Sequence, residues 1–354
     1  MLPAPEDIRP AAIATLTWLK RSMDVHGGRG SAAYYSRWRH PLRGWAPPYP
    51  ETTGYLIETL LDAGRLLEAP WANDYARRCG EWLLTVQHPD GWYPALYADS
   101  GRPSAFNTGM ILFGLRRLWV ETREQAFFYA MERAVRWLLK AQESDGSLQA
   151  GAYVANYEPT YYTRLIWSVL ATAPHLPGLP VEASMERAMD VLRPKFLPTG
   201  WLAEAGFRPG EAAFTHTMAY ALRGYWEISE LQADEEGLDA VRNTLERLAE
   251  DWRRYGRLAG RYDVDGRGDR SFVCLTGNAQ LSILYFKAYR YYREEAYSEL
   301  GRWLFHSVLQ FQRPSGAIAG SQPFWGPYQR LRYPNWAAKF FLDAFLEYAL
   351  STRP

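Results

Sequence analysis

Four side chains in this sequence belong to the residue types that transfer protons in enzymes, and each lies near the start of a predicted helix or in the loop before one. They are Glu51, Tyr161, His216 and Asp263. Two carboxyl groups on either side of a glycosidic bond support hydrolysis when they stand roughly 5–9.5 Å apart. Glu51 with Asp263, or Glu51 with Glu158, could supply such a pair.

A different use of these residues is elimination or epimerisation of a uronate. His216 or Tyr161 would then remove the proton, and Arg164 or Lys339 would offset the charge of the substrate carboxylate. Each candidate also has a purely structural explanation. Glu51 suits the first turn of any helix, His216 could be an interior histidine, and Asp263 lies in a stretch with glycines that suits an exposed turn.

Aromatic and polar side chains that could bind a ligand cluster around the same helix starts. Tyr and Trp offer an apolar face together with a hydrogen-bonding edge, and the sequence contains more of them than a hydrophobic core alone would need. Several of the polar residues are spaced i,i+4, so that both members share one helix face. The candidate substrate-binding residues are Arg43, Trp45, Tyr49, Tyr55, Asn107, Glu158, Tyr162, Arg164, Trp201, Tyr220, Asn278, Gln280, Trp325, Asn335, Trp336 and Lys339.

The elements that must position these residues are six helices that are apolar on nearly every side. They are predicted to begin near Glu51, Asn107, Thr160, Thr215, Thr276 and Asn335. A helix that is apolar all round is buried all round, so these are expected to be inner helices. Their starts carry residues that cap helices well, and we expect N-caps at Thr52, Asn107, Thr160, Thr215, Thr276 and Asn335.

Amphipathic helices alternate with the inner ones and present charged faces to solvent. They are predicted at 7–24, 71–88, 123–143, 181–196, 235–255 and 293–312. Twelve alternating helices predict an all-α fold, an (α/α)6 toroid of six helical hairpins. No linker divides the chain, so residues 1–354 are expected to form a single toroid domain. The starts of the inner helices would then meet at one mouth, where their N–H groups and dipoles converge.

Composition and missing motifs exclude several classes of function. The formal net charge of +1 gives no reason to expect a nucleic-acid partner. No phosphate-binding glycine loop, nucleophilic serine elbow or His pair at i,i+4 occurs, so neither a cofactor nor a metal site is expected. Two distant cysteines and no apolar run long enough to span a membrane predict a cytoplasmic protein. The oligomeric state is left open.

Two segments align without gaps, Trp82 to Gly91 and Trp137 to Gly146, and a looser copy ends at Gly316. These Trp-x4-Gln-x3-Gly repeats resemble the degenerate repeats of squalene/hopene cyclases and protein prenyltransferase β-subunits. Cyclases of that class use an Asp-x-Asp-Asp motif, whose last Asp is replaced here by Gly266. Prenyltransferases bind zinc through Asp, Cys and His, and Cys274 has no Asp two residues before it.

The six-hairpin layout, over the whole chain, resembles the (α/α)6 glycosidases, polysaccharide lyases and sugar epimerases. The segments 49–55, 274–280 and 333–340 look like parts of bacterial toroid proteins associated with polysaccharide clusters. This resemblance implies a carbohydrate-active enzyme with an oligo- or polysaccharide substrate, either a glycoside hydrolase or a uronate lyase or epimerase. An isoprenoid cyclase or prenyltransferase-like enzyme, and a non-catalytic glycan-binding protein, are the alternatives.

Overall fold

The computed structural model describes residues 4–352 of the chain, and within them long helices of two kinds alternate. In chain order they are α1 (Pro5–Asp24), α2 (Pro50–Leu66), α3 (Trp71–Val86), α4 (Ala105–Thr122), α5 (Gln125–Ala141), α6 (Thr163–Leu170, after a 3-10 turn at Thr160–Tyr162), α7 (Val181–Leu192), α8 (Thr215–Gln232), α9 (Glu235–Tyr255), α10 (Leu275–Tyr292), α11 (Glu295–Leu309) and α12 (Asn335–Ser351). The even-numbered helices are the predicted inner helices.

The inner helices form a closed ring. Helix α2 packs on α4, α4 on α6, α6 on α8, α8 on α10, α10 on α12, and α12 packs on α2 again. Each outer helix packs against an inner one, and α1 lies against α12. The predicted ring of six hairpins is therefore confirmed. The first and last helices are in contact, and the single domain stays a prediction.

Burial explains why the two kinds of helix occupy different layers. In α4 every residue from Ala105 to Leu115 is buried, which is possible only for a helix surrounded by other helices. In α9 the buried residues include Leu238, Val241, Leu245 and Leu248. Their spacing of three and four residues places them on one face, and the opposite face is left to charged side chains.

The predicted N-caps are wrong by one to three residues. The N-cap positions are instead occupied by six residues that are all extended in backbone conformation: Tyr49, Ser104, Pro159, Phe214, Cys274 and Pro334. Because the helices begin earlier, the expected capping residues lie inside the first turn and bind elsewhere. Asn335, for example, accepts a hydrogen bond from Trp18 Nε1 at 3.0 Å.

The repeated glutamine and glycine bind the next outer helix, an arrangement we call the glutamine clasp. After α3, Gln87 Nε2 donates to the carbonyl oxygens of Gly91, in its own turn, and Ala130, in α5, at 2.9 and 2.8 Å. Gly91 has φ +104°, and a Cβ at this position would overlap the carbonyl oxygen of Arg133 in α5. Glycine is thus required both by the backbone conformation and by the close approach.

The clasp recurs after α5 and after α11. Gln142 Nε2 donates at 2.8 Å to the carbonyl oxygens of Gly146 and of Ser184 in α7. Gln312 Nε2 donates at 2.9 Å to the carbonyl oxygen of Ala11 in α1, so the third clasp joins the last outer helix to the first. A Cβ at Gly146 or at Gly316 would likewise overlap a backbone carbonyl of the next helix.

Within residues 4–352, seven two-residue strands connect the loops that lead toward the inner helices. They are β1 (Tyr34–Tyr35), β2 (Ala213–Phe214), β3 (Arg261–Tyr262), β4 (Gly268–Asp269), β5 (Val273–Cys274), β6 (Ser321–Gln322) and β7 (Tyr333–Pro334). All pairings are antiparallel: β1 with β7, β2 with β3, β3 with β4, and β5 with β6. The pairing of β1 with β7 links the loop before α2 to the loop before α12.

Candidate active site

A cavity of about 170 Å³ opens where the inner helices begin, and we call it the mouth cavity. Its walls come from the first turns of α2, α4, α8 and α12 and from the loops around them. The lining residues are Tyr49, Glu51, Tyr55, Phe106, Tyr153, Tyr161, Phe207, His216, Thr217, Tyr220, Tyr328, Gln329 and Trp336. Among these described residues Glu51 is the one carboxyl group and His216 the one imidazole, and neither Lys nor Arg lines the cavity.

Glu51 lies in the first turn of α2, after Pro50, and its side chain reaches the mouth cavity. Burial raises the pKa of this carboxyl to about 7. The rise is opposed by the Tyr49 hydroxyl, which donates to Oε2 at 2.8 Å, and by the positive charge of Arg164. A carboxyl with this pKa is partly protonated near neutral pH and can therefore act as a general acid.

His216 lies in the first turn of α8 and is buried. Burial, together with the charge of Arg164, lowers the pKa of the imidazole to about 4, so the ring is neutral near pH 7. Its Nδ1 lies 2.8 Å from Gln280 Oε1. When Nδ1–H donates to this oxygen, Nε2 carries the lone pair and the ring is a base. Among residues 4–352 nothing forms a hydrogen bond with Nε2.

Tyrosine hydroxyls surround these two groups. Burial holds the pKa of Tyr55, Tyr161 and Tyr328 well above the usual value, so all three remain protonated donors. On the rim, Tyr153 donates to Asn107 Oδ1 at 3.1 Å. The cavity thus combines ring faces with neutral hydroxyl groups, a lining that suits the apolar faces and the hydroxyls of a sugar.

Aromatic rings close the bottom of the mouth cavity. Tyr55 stacks on Phe340 with centroids 5.9 Å apart, and Tyr220 meets the same Phe340 ring edge-on at 5.7 Å. We call these three rings the floor. Toward the C-terminal ends of the inner helices lies a second cavity of about 650 Å³, the lower cavity, which shares none of its lining residues with the mouth cavity.

Comparison with solved structures finds the same ring in enzymes that act on saccharides. An unsaturated glucuronyl hydrolase specific for heparin superposes with a TM-score of 0.74 at 12% identity over 97% of both chains. Cellobiose 2-epimerase from Spirochaeta thermophila DSM 6192 gives 0.73 at 14% identity over 98% of both chains. A sugar epimerase from a ruminal bacterium gives 0.71 at 12% identity, over 90% of this chain and 92% of that one.

The chain has the (α/α)6 toroid fold. This confirms the fold class and the resemblance to carbohydrate-active toroid enzymes. No protein-family model and no curated protein matches the sequence. In the part of the chain that the structure describes, no helix is long and apolar enough to cross a membrane. In the same residues no group of three His, Cys, Asp or Glu side chains is placed to hold a metal ion.

The toroid brings seven of the predicted site residues together in the mouth cavity. They are Glu51, Tyr161 and His216 from the predicted catalytic set, and Tyr49, Tyr55, Tyr220 and Trp336 from the predicted binding set. Three more lie directly behind the lining. Asn107 accepts a hydrogen bond from the Tyr153 hydroxyl, and Gln280 Oε1 lies within hydrogen-bond distance of His216 Nδ1. Tyr162 stacks on Phe106 with the ring centroids 5.2 Å apart.

Asp263, predicted to be catalytic, does not line the mouth cavity. It belongs to the turn between β3 and β4, where its Oδ1 accepts from the backbone N–H groups of Asp265 and Arg267 at 3.0 and 2.8 Å. Its Oδ2 lies 3.6 Å from the Arg267 guanidinium, and both side chains are more than a third exposed. The two glycines near Asp263 make this an exposed turn, and the carboxyl group is used to stabilise it.

The remaining predicted residues also lie away from the mouth cavity. Arg164 and Lys339 line the lower cavity. Glu158 has a pKa raised to about 7 by burial, but its Oε1 accepts from the backbone of Leu148 at 3.1 Å. Two of the other tryptophans pack on aromatic rings elsewhere, Trp45 on Trp18 and Trp201 on Tyr262. Two asparagines form hydrogen bonds away from the cavity, Asn278 with Ser307 and Asn335 with Trp18. Arg43 lines a separate surface hollow beside Trp45, and Trp325 is 64% exposed.

Besides Phe106 and Tyr328, four lining residues lie outside the predicted sets: Tyr153, Phe207, Thr217 and Gln329. Thr217 follows His216 by one position and could have been found from the helix start. The other three belong to loops that fold back over the mouth, and no periodicity marks such residues in a sequence.

Proposed function

We propose that this protein is a carbohydrate-active enzyme that epimerises or isomerises a neutral saccharide by proton transfer in the mouth cavity. The observation that carries the proposal is the pairing of one carboxyl group of raised pKa, Glu51, with one neutral imidazole, His216, in a single cavity. Two titratable groups whose surroundings push their pKa values apart are typical of an acid and its partner base.

A two-carboxylate hydrolase is less well supported by this cavity. Hydrolysis by the common mechanisms needs a second Asp or Glu across the scissile bond. Glu51 has no such partner among the described lining residues, because Asp263 and Glu158 are both engaged elsewhere.

A uronate substrate is disfavoured by the lack of positive charge in the described lining of the mouth cavity. The substrate carboxylate would need a cation to offset it, and Arg164 and Lys339 lie in the lower cavity. The volume of about 170 Å³ is below the roughly 300–1,000 Å³ of sites for drug-sized ligands. We therefore propose that the end unit of a neutral saccharide, not the middle of a polymer, enters the cavity.

The chemistry is a balanced pair of proton transfers on the open-chain sugar. His216 Nε2 takes the proton from the carbon next to the aldehyde while Glu51 gives its proton to the carbonyl oxygen, which produces a neutral enediol. Rotation of the enediol about the bond between its second and third carbons turns the opposite face toward His216. Return of the proton from His216 to the second carbon, with loss of the proton on the first oxygen to the Glu51 carboxylate, then gives the 2-epimer. Delivery of the proton to the first carbon, with loss of the proton on the second oxygen to Glu51, gives the ketose. Two of the similar structures are a cellobiose 2-epimerase and a sugar epimerase, which supports this class of reaction.

Solvent exchange tests the proposal directly. The protein is incubated in D2O with neutral aldoses and with their β-1,4-linked disaccharides, and proton NMR follows the hydrogen on the second carbon. We expect loss of this signal and formation of an epimer or a ketose. We also expect the Glu51→Gln and His216→Asn variants to lose roughly 10²–10⁴-fold in exchange rate.

Glu158→Gln is the matched control, since it removes another buried carboxyl group of pKa about 7 that lies outside the mouth cavity. Release of new reducing ends without exchange would replace the proposal with hydrolysis. Formation of an unsaturated product from a uronate would replace it with elimination. We also propose a cytoplasmic location, because Cys79 and Cys274 are both free and buried.

A further inference from the structure

The lower cavity contains many charged side chains, and nearly all of them are already paired. Lys339 pairs with Asp343, Arg223 with Glu227, Arg65 with Glu121 and Glu58 with Arg116, while Asp62 and Glu347 bind Arg117 and Arg290. These pairs balance one another in charge. Among the lining side chains themselves, four carboxylates face three cations and Arg164, so the wall as a whole has no net charge.

Arg164 is the exception. Its side chain lines the lower cavity and is only 5% exposed, yet no residue between 4 and 352 forms an ion pair or hydrogen bond with it. Its Nε is buried without a hydrogen-bond partner. The guanidinium carbon lies 4.7 Å from the ring centroid of Tyr220, 5.2 Å from that of Trp167 and 5.6 Å from that of Phe340. The rings hold the guanidinium group in place without neutralising it.

An unpaired guanidinium in this position is costly. Arginine stays protonated in proteins, and a buried ion without a partner loses several kcal/mol of solvation. Contacts with ring faces recover only part of that loss. The planar guanidinium also binds carboxylate and phosphate groups through two parallel hydrogen bonds. Asp343 and Glu51 are close enough to act on Arg164 electrostatically, but neither forms a hydrogen bond with it. Its geometry and its unused hydrogen-bond donors therefore suit a bound anion.

We propose that the lower cavity is a second binding site, for a small molecule whose carboxylate or phosphate group pairs with Arg164. The volume of about 650 Å³ is in the range of small-molecule sites. Apolar side chains, among them Ile283 and Leu346, also line the cavity and leave room for the body of the ligand. The site is separate from the mouth cavity because the floor of Tyr55, Tyr220 and Phe340 lies between them.

Gln280 connects the two sites. Its side chain lines the lower cavity, while its Oε1 lies 2.8 Å from His216 Nδ1. A ligand that touches Gln280 from below thus sits one residue away from the proposed base. The site depends on Arg164 and the lower cavity, so it stands whether or not the proposed reaction is correct.

Binding is measured by calorimetry and by thermal shift with inorganic phosphate, glucuronate and glucose 6-phosphate, and with glucose as the uncharged probe. We expect at least one anionic probe to bind at concentrations up to roughly 10 mM, and to raise the melting temperature. Arg164→Met should weaken that binding by roughly tenfold or more, since a hydrogen bond to a charged group is worth about 1.5–3 kcal/mol. The variant should melt at the same temperature as the unliganded wild type or higher, because it removes an unpaired buried charge.

Two further variants locate the binding. Ala349→Trp narrows the lower cavity from its rim without changing Arg164, and should abolish binding as well. Glu51→Gln alters the mouth cavity and should retain it. The proposal is overturned if no anionic probe binds, or if Ala349→Trp retains binding while Glu51→Gln loses it. A lower melting temperature of Arg164→Met with unchanged anion binding would assign Arg164 a structural role. If Arg164→Met does not fold, the comparison of Ala349→Trp with Glu51→Gln decides the matter.

Discussion

Replacing Tyr49 by Phe should raise the pKa of Glu51 further. The Tyr49 hydroxyl donates to Glu51 Oε2 at 2.8 Å and stabilises the carboxylate, so it opposes the rise in pKa that burial produces. Phenylalanine keeps the ring and removes the donor. The carboxylate then loses a hydrogen bond, while the protonated acid loses much less.

The expected size of this change follows from the strength of the bond. A hydrogen bond to a charged group contributes about 1.5–3 kcal/mol, and one pKa unit corresponds to about 1.4 kcal/mol. The pKa of Glu51 should therefore rise by about one to two units from its value of about 7. In the proposed reaction activity appears as His216 loses its proton, with a pKa of about 4, and disappears as Glu51 loses its own. Only the alkaline limb of the pH profile should move, and it should move upward.

Carbon-13 NMR of protein labelled at the glutamate side-chain carboxyl measures this pKa without any substrate. Glu51 is assigned as the signal missing from Glu51→Gln. Tyr157→Phe is the matched control, because Tyr157 donates to the backbone oxygens of Glu204 and Gly206 and does not line the mouth cavity. The reasoning would be refuted if the measured pKa of Glu51 in the wild type lay near the ordinary value. It would also be refuted if the pKa of Glu51 stayed the same or fell in Tyr49→Phe.

Three other expectations concern stability and the choice of acid. Because Glu51 has a higher pKa folded than the ordinary 4.5, its ionisation destabilises the folded state as pH rises through about 7. Glu51→Gln should thus be more stable than wild type near pH 8 by up to about 3 kcal/mol, and not near pH 4, in urea unfolding. Asp263→Asn should keep turnover within about twofold of wild type, whereas a loss of roughly 10²-fold in a kinetic assay would restore Asp263 as a catalytic residue. Gln142→Ala removes the two hydrogen bonds that Nε2 donates in a clasp and the two that Oε1 accepts from Ser184 and Arg187, and it should cost about 1–3 kcal/mol in thermal unfolding. Gln149→Ala on the following loop should cost little.

The helices were predictable because the spacing of apolar residues along the sequence shows which faces of each helix are buried. An inner helix such as α4 is apolar all round, and an outer helix such as α9 is apolar on one face. The exact helix starts were not predictable. Tyr49 and Pro334, which precede two inner helices, carry no capping side chain, and neighbouring loops and short strands fix their extended backbone.

The site was predictable where its residues lie on helices. Glu51, His216 and Trp336 all lie in first turns of inner helices, and a closed ring brings first turns together. It was harder to predict how far below the mouth cavity a residue on an inner helix would lie. Lys339 lies only four residues after Asn335, about 6 Å along the axis at 1.5 Å per residue, and that distance is enough to place it below the floor. Loop residues such as Asp263 were beyond sequence reasoning, since the turn itself uses the carboxyl group.

The third glutamine clasp has a consequence for how the chain folds. It joins Gln312 to Ala11, which are 301 residues apart in sequence, whereas the clasps after α3 and α5 span only 43 and 42 residues. Neighbouring hairpins can dock as soon as each is synthesised, but the entropy of bringing the two ends together is lost only in the final step. Until that step the apolar surfaces that α12 buries against α1 and α2 remain exposed to water. Ring closure is therefore the stage of folding at which this protein is most prone to associate with other chains.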